Sequence, residues 1–166
     1  MKTDVKFEFI ADLQNSRVTV KRVFAANRQV VWDCYTKCEL LDRWFAPKPL
    51  VTQTKHMDFR AGGFWHFAMV DPTGQHYWSR QDYLSIDPIN SYTALDGFCD
   101  ATGALNPDLP RSTMIVNFTE VATSTLVETV VSYPSPEAVQ QVIDMGMKEG
   151  IASTLDRLDE LLVILS

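Results

Sequence analysis

Three charged residues stand among aromatic ones in the middle of this chain. Arg80 and Asp82 lie in the stretch Trp78-Ser79-Arg80-Gln81-Asp82-Tyr83-Leu84, and Asp96 lies in Ala94-Leu95-Asp96-Gly97-Phe98. Charges on an otherwise apolar face are costly unless they pair or meet water or a ligand. They suit either of two roles: polar contacts that orient a mostly apolar ligand, or an internal Arg–Asp pair that fills space and specifies packing. His66 with Asp82 or Asp96 is the acid–base pair to consider for chemistry. No G-x-S-x-G elbow, P-loop, H-E-x-x-H or dinucleotide fingerprint accompanies them, so no catalytic residue is assigned. Cys34 and Cys38, four apart on a predicted helix, share a face, but no histidine lies at ligand spacing to them. They read as small buried or half-buried thiols, and no metal or cofactor is expected.

The elements that must position these residues are legible from periodicity. Residues 5–11 form a strand that pairs as a hairpin with Arg17 to Phe24, where β-branched residues alternate with charged ones. Asn27 offers an N-cap to a short helix carrying Val30, Val31, Cys34 and Tyr35. A second short helix, Glu39 to Phe45, stops at Pro47 and Pro49. Strands are predicted at Thr52 to Phe59, Phe64 to Val70, His76 to Ile86, Ser91 to Cys99, Ser112 to Val121 and Thr125 to Tyr133. Ser135 and Pro136 then open one long terminal helix with an apolar stripe through Val139, Ile143, Ile151, Leu155, Leu158 and Leu162. Antiparallel strands with one long helix make an α+β helix-grip fold, a curved sheet wrapped around that helix, with two short helices after the first strands. At 166 residues the chain suits a single domain over 1–166, with its core in 17–164.

Composition narrows the partners. Fifteen Lys and Arg against twenty-one Asp and Glu leave a net charge of -6, which disfavours nucleic acid. No apolar run is long enough for a membrane span. The first residues lack the apolar core of a signal peptide, and three cysteines without paired spacing fit a reducing compartment, so a cytoplasmic location is expected.

Five short motifs in order bring a family to mind. Arg22-Val23-Phe24-Ala25-Ala26 leading into Val30-Val31-Trp32 resembles the "R-x-F-x-A-x-x-x-x-V-W" opening of the SRPBCC superfamily. Leu41-Asp42-Arg43-Trp44-Phe45-Ala46-Pro47 resembles its "L-x-x-W-W-x-P" helix. Asp58-Phe59-Arg60-Ala61-Gly62-Gly63 is similar to the "D-x-R-x-G-G" turn, Ile86-Asp87-Pro88 to the "E-I-x-P" strand end, and Thr154-Leu155-Asp156-Arg157-Leu158 to the "S-L-x-x-L" of the last helix. Together they resemble the branch of homologues of the activator of the ninety-kilodalton heat-shock protein ATPase, which shares its fold with START domains and the birch-pollen allergen. Gln81 and Ser85 depart from the glycine and glutamate that many relatives carry there. The resemblance implies the helix-grip fold. For function it leaves open a ligand carrier, a chaperone cofactor, and a cyclase- or hydrolase-like enzyme.

A helix-grip fold encloses a volume between sheet and helix, and strand parity predicts what lines it. Taking Ile86 as inward places Leu84, Asp82, Arg80 and Trp78 on its face. Tyr92, Asp96 and Phe98 share one face of the next strand. Trp65, Phe67 and Met69 are inward after the two glycines, with Phe64, His66 and Ala68 outward. Trp44 and Phe45 join this lining from the second short helix. Gly146 and Gly150, in the middle of the terminal helix and flanked by Met145 and Met147, leave room against the sheet or allow close packing. The expected function is non-catalytic carriage or sensing of a small, mostly apolar or amphipathic ligand. The alternatives are a chaperone partner and an enzyme; a homodimer stays open. The loop Asp100 to Pro110 is either a lid or a connection.

Overall fold

The structure, a computed structural model, describes residues 7–166; the predicted strand start at Val5 and Lys6 lies outside the described residues. Among the described residues, eight strands form one antiparallel sheet in the order β1-β2-β8-β7-β6-β5-β4-β3. The strands are β1 Phe7–Asp12, β2 Arg17–Phe24, β3 Val51–Met57, β4 Phe64–Val70, β5 His76–Asp87, β6 Ser91–Phe98, β7 Ser112–Val121 and β8 Ser124–Ser132. Between β2 and β3 lie α1 Arg28–Thr36 and α2 Cys38–Leu41; α3 Pro136–Asp144 and α4 Met147–Leu165 close the chain. This is the expected α+β helix-grip architecture. No helix of the described residues is long and apolar enough to cross a membrane.

Local chemistry explains most boundaries. The Asn27 side chain accepts from the Val30 amide at 2.9 Å and caps α1, and Ser135 caps α3 through the Ala138 amide at 3.1 Å, with Pro136 at the first helical position. The second short helix ends earlier than predicted, at Leu41, and continues as tighter turns in which Arg43 bonds back to Leu40 and Trp44 to Leu41. Trp44 is locked there, its indole Nε1 donating to the Cys34 carbonyl at 2.9 Å and its ring edge-on to Tyr35. The turn before β4 needs glycine: a Cβ on Gly63 would stand 2.1 Å from the Asp58 carbonyl oxygen.

The single terminal helix is the main departure. It is two helices, because Gly146 adopts φ +91° in the left-handed region, ends α3 and starts α4. The apolar stripe runs through the break, which is why periodicity alone reads one rod. The two glycines therefore differ in kind. Gly146→Ala should destabilise by about 1–2 kcal/mol, the cost of a Cβ in the left-handed region. Gly150→Ala, inside α4 with its nearest neighbour to a new Cβ at 3.9 Å, should stabilise by about 0.5–1 kcal/mol. Urea denaturation of the pair checks both signs; equal effects would contradict the break.

Candidate functional site: a cavity between the sheet and the terminal helices

The concave face of the sheet does not close on α4. A cavity of about 390 Å³ remains, walled by β2, β4 to β8, the turn after α2 and the junction of α3 and α4. Of the residues expected there, Trp44, Phe45, Phe67, Met69, Tyr92, Asp96, Phe98, Met145, Gly146, Met147 and Gly150 line it. Phe98 and Met145 remain 37% and 57% exposed, so they mark where it meets solvent. Trp65 points inward as expected but stacks flat on Phe67, ring centres 3.8 Å apart, and belongs to the packed core rather than the wall.

Trp78, Arg80 and Asp82 are on the other face, correcting the parity prediction. Arg80 pairs across the sheet with His66, Asp82 with Phe64 and Trp78 with Ala68, so all three share the outward side of β4. The cause is a bulge between Tyr83 and Ser85 in the pairing of β5 with β6. Counting back by twos from Ile86 crosses that extra residue and inverts the face of everything upstream. The residues that face inward are Ser79 and Gln81, and both line the cavity.

On the outward side Arg80 donates to Asp82 through Nη2 at 2.6 Å and Nε at 3.1 Å, and Arg111 bonds the same carboxylate. The loop Asp100 to Pro110 is clasped over this cluster. Arg80 Nη1 donates to the Gly103 carbonyl at 2.9 Å, Lys55 to the Ala101 carbonyl at 2.5 Å, and the His66 ring nitrogen lies 3.0 Å from the Asp100 carbonyl. Asp100 folds the loop by accepting from the Thr102 and Ala104 amides. The loop therefore covers the back of the sheet, although Pro110 at its end reaches the cavity wall. His66 is outward yet buried under it. The sheet separates it from Asp96, so no His66–Asp96 acid–base pair forms.

Two ionised side chains line the cavity itself, Arg22 and Asp96. Arg22 shares the inward face of β2 with Val18, Val20 and Phe24. Its Nη2 reaches Asp156 at 2.8 Å and Asp159 at 2.5 Å on α4. Burial works against its charge, and these bonds outweigh that, raising its pKa above the ordinary arginine value. Asp96 is walled in by protein, and solvent-sized space touches it because the cavity reaches it. Burial pushes its carboxyl up to about 6, partly offset by the Arg111 charge and hydrogen bonds from Gln81 and the Gly97 amide. Burial also holds the phenols of Tyr35, Tyr92 and Tyr133 well above their usual value, so these wall residues stay neutral at physiological pH.

Sequence reasoning passed over Arg22, Gln81, Tyr35 and Tyr133 as wall residues. Arg22 carried a usable signal: it falls in the apolar register of an alternating strand, where a charge requires a partner. Cys34, Cys38 and Cys99 are free thiols; burial pushes Cys34 up to about 11, far from a reactive thiolate. Among the described residues no group of three or more His, Cys, Asp or Glu side chains is gathered closely enough to hold a metal ion.

Comparison with known proteins bears on the fold and lineage. No curated protein matches the chain. Protein Ms6760 from Mycobacterium smegmatis is 34% identical in a comparison covering 93% of this chain and 95% of that one, with a TM-score of 0.86. A Staphylococcus epidermidis protein is 29% identical over 95% and 94%, TM-score 0.83, and an Arthrobacter aurescens protein 22% identical over 94% and 91%, TM-score 0.88. The profile of the family described as "Activator of Hsp90 ATPase homolog 1-like protein" matches residues 25–163. With that match over most of its length, the chain belongs to the Activator of Hsp90 ATPase homolog 1-like family.

Proposed function

We propose that the cavity binds a small, mostly apolar ligand as a carrier or sensor. The observation that carries this reading is a hollow of about 390 Å³ whose wall is chiefly aromatic and aliphatic, with Arg22, Gln81 and Asp96 as its polar points. That volume falls in the roughly 300–1,000 Å³ range of small-molecule pockets, and apolar walls with few polar groups are their usual chemistry. The adaptable thioethers of Met69, Met145 and Met147 suit a wall that moulds to its guest.

Gly150 supplies the test. A Cβ there meets nothing closer than Pro47 at 3.9 Å, so a larger side chain grows into open space beside the wall. Gly150→Leu should leave the fold intact, since leucine is a better helix former than glycine by close to 1 kcal/mol. It should also abolish uptake of a neutral apolar dye such as Nile red, and any small molecule seen with the freshly purified protein by native mass spectrometry should disappear. Dye uptake equal in the two proteins would count against the pocket.

Family membership favours a second reading, a chaperone cofactor. A pull-down that recovers the chaperone, with a rise in its ATPase rate, would promote it. If the rise is the same with Gly150→Leu, the cavity plays no part in it.

A further inference from the structure

We infer that the cavity selects amphiphiles with a cationic head, with Asp96 as the residue that reads the amine. The inference rests on the pocket reading and names its ligand class. It follows from an imbalance in the wall. Arg22, the one cation among the lining residues, is engaged by two carboxylates of α4 at 2.8 and 2.5 Å. Asp96, the one acid among them, forms no ion pair within 4.0 Å with any described residue. Arg111 acts on it through its field, but the Arg111 Nη2 is committed to Asp82 on the outward side of the sheet.

The groups around Asp96 are neutral: Gln81 and Ser112 across the strands, and the phenols of Tyr92 and Tyr133, kept protonated by burial and, secondarily, by its charge. An amine placed beside it would give the buried carboxylate the opposite charge it lacks, while the aliphatic tail lies along Phe67, Met69 and Phe98. A carboxylate head would instead add like charge in a poorly solvated space. Burial already resists ionisation of Asp96, whose carboxyl titrates at about 6, so at pH 7.5 the site is charged and short of a partner.

The experiment compares decylamine, decan-1-ol and decanoate by calorimetry at pH 7.5, against the intact chain and its Asp96→Asn variant. One tail with three heads isolates the head group. Decylamine is expected to bind at least tenfold more tightly than decanoate, and Asp96→Asn to weaken decylamine about tenfold while leaving decan-1-ol within threefold. The chain's overall charge of -6 changes only by one in the variant, so a preference due to general acidity would survive the substitution. A wild-type preference for the amine below fivefold overturns the inference, whether or not the variant folds. So does a preference that persists in Asp96→Asn. In either case decan-1-ol binding would leave the pocket reading standing; if none of the three binds the wild-type protein, both fall.

Discussion

Arg22→Ala is expected to lower the free energy of unfolding by about 3 kcal/mol, the largest effect foreseen for any single change at the cavity. Arg22 is 5% exposed, and its guanidinium makes two charge-assisted bonds to α4, each of a kind worth about 1.5–3 kcal/mol. Its stem packs beside Phe24, whose ring centre lies 5.7 Å from the charged carbon. Alanine removes both bonds and leaves a void. The loss is tempered because Asp156 is 66% exposed and can return to water. Arg22→Met separates the two contributions. It refills most of the volume but still withdraws the cation from Asp156 and Asp159. Removing one partner of a buried pair is destabilising, so it should cost about 1–2 kcal/mol, less than alanine by the value of the filled space. Urea denaturation of the three proteins decides: an alanine variant within 1 kcal/mol of wild type would show that Arg22 does not tie β2 to α4.

Asp96→Asn should do the reverse and make the protein more stable at pH 7.5, by about 1–3 kcal/mol. An unfolded aspartate titrates near 3.9, whereas this one titrates at about 6 when folded. Between those values the folded state holds more protons than the unfolded state, so stability falls as pH rises. Below about pH 4 both states are protonated and the penalty vanishes; above about pH 7 it is complete. Each pH unit of separation corresponds to about 1.4 kcal/mol, and contact with the cavity's solvent places the effect at or below the full value. Thermal melts from pH 3.5 to 8 should show wild type losing ground to Asp96→Asn between pH 4 and 6.5, and parallel curves above. A variant that tracks wild type through that interval would mean the carboxyl titrates normally. Paired with the amine experiment, this describes a residue that weakens the empty protein and strengthens the loaded one.

How far the sequence discloses all this depends on the element. Alternation in Arg17 to Phe24, the caps at Asn27 and Ser135, and the ordered motifs from Arg22 to Leu158 make the helix-grip fold legible without coordinates. Parity also places Phe67, Met69, Tyr92, Asp96 and Phe98 on the side where they are found, because no irregularity interrupts β4 or β6 between them. It fails on β5, where one bulged residue leaves no mark in composition. It fails again at Gly146, since an apolar stripe of period three to four passes over a left-handed residue unchanged. For His66 alternation gives the face but not the cover, because the burial comes from a loop more than thirty positions away in sequence.

The extra residue at Tyr83–Ser85 also bears on how this strand tolerates changes in length. Removing Leu84 would take out the unpaired position and leave a regular ladder, with Tyr83 still opposite Ala94 and Ile86 still opposite Tyr92. Ser79 and Gln81 would keep facing the hollow, and Arg80 and Asp82 the back. The bulge thus absorbs a one-residue difference without altering what the interior presents, so a relative with a shorter, unbroken strand here would offer a guest the same inward positions.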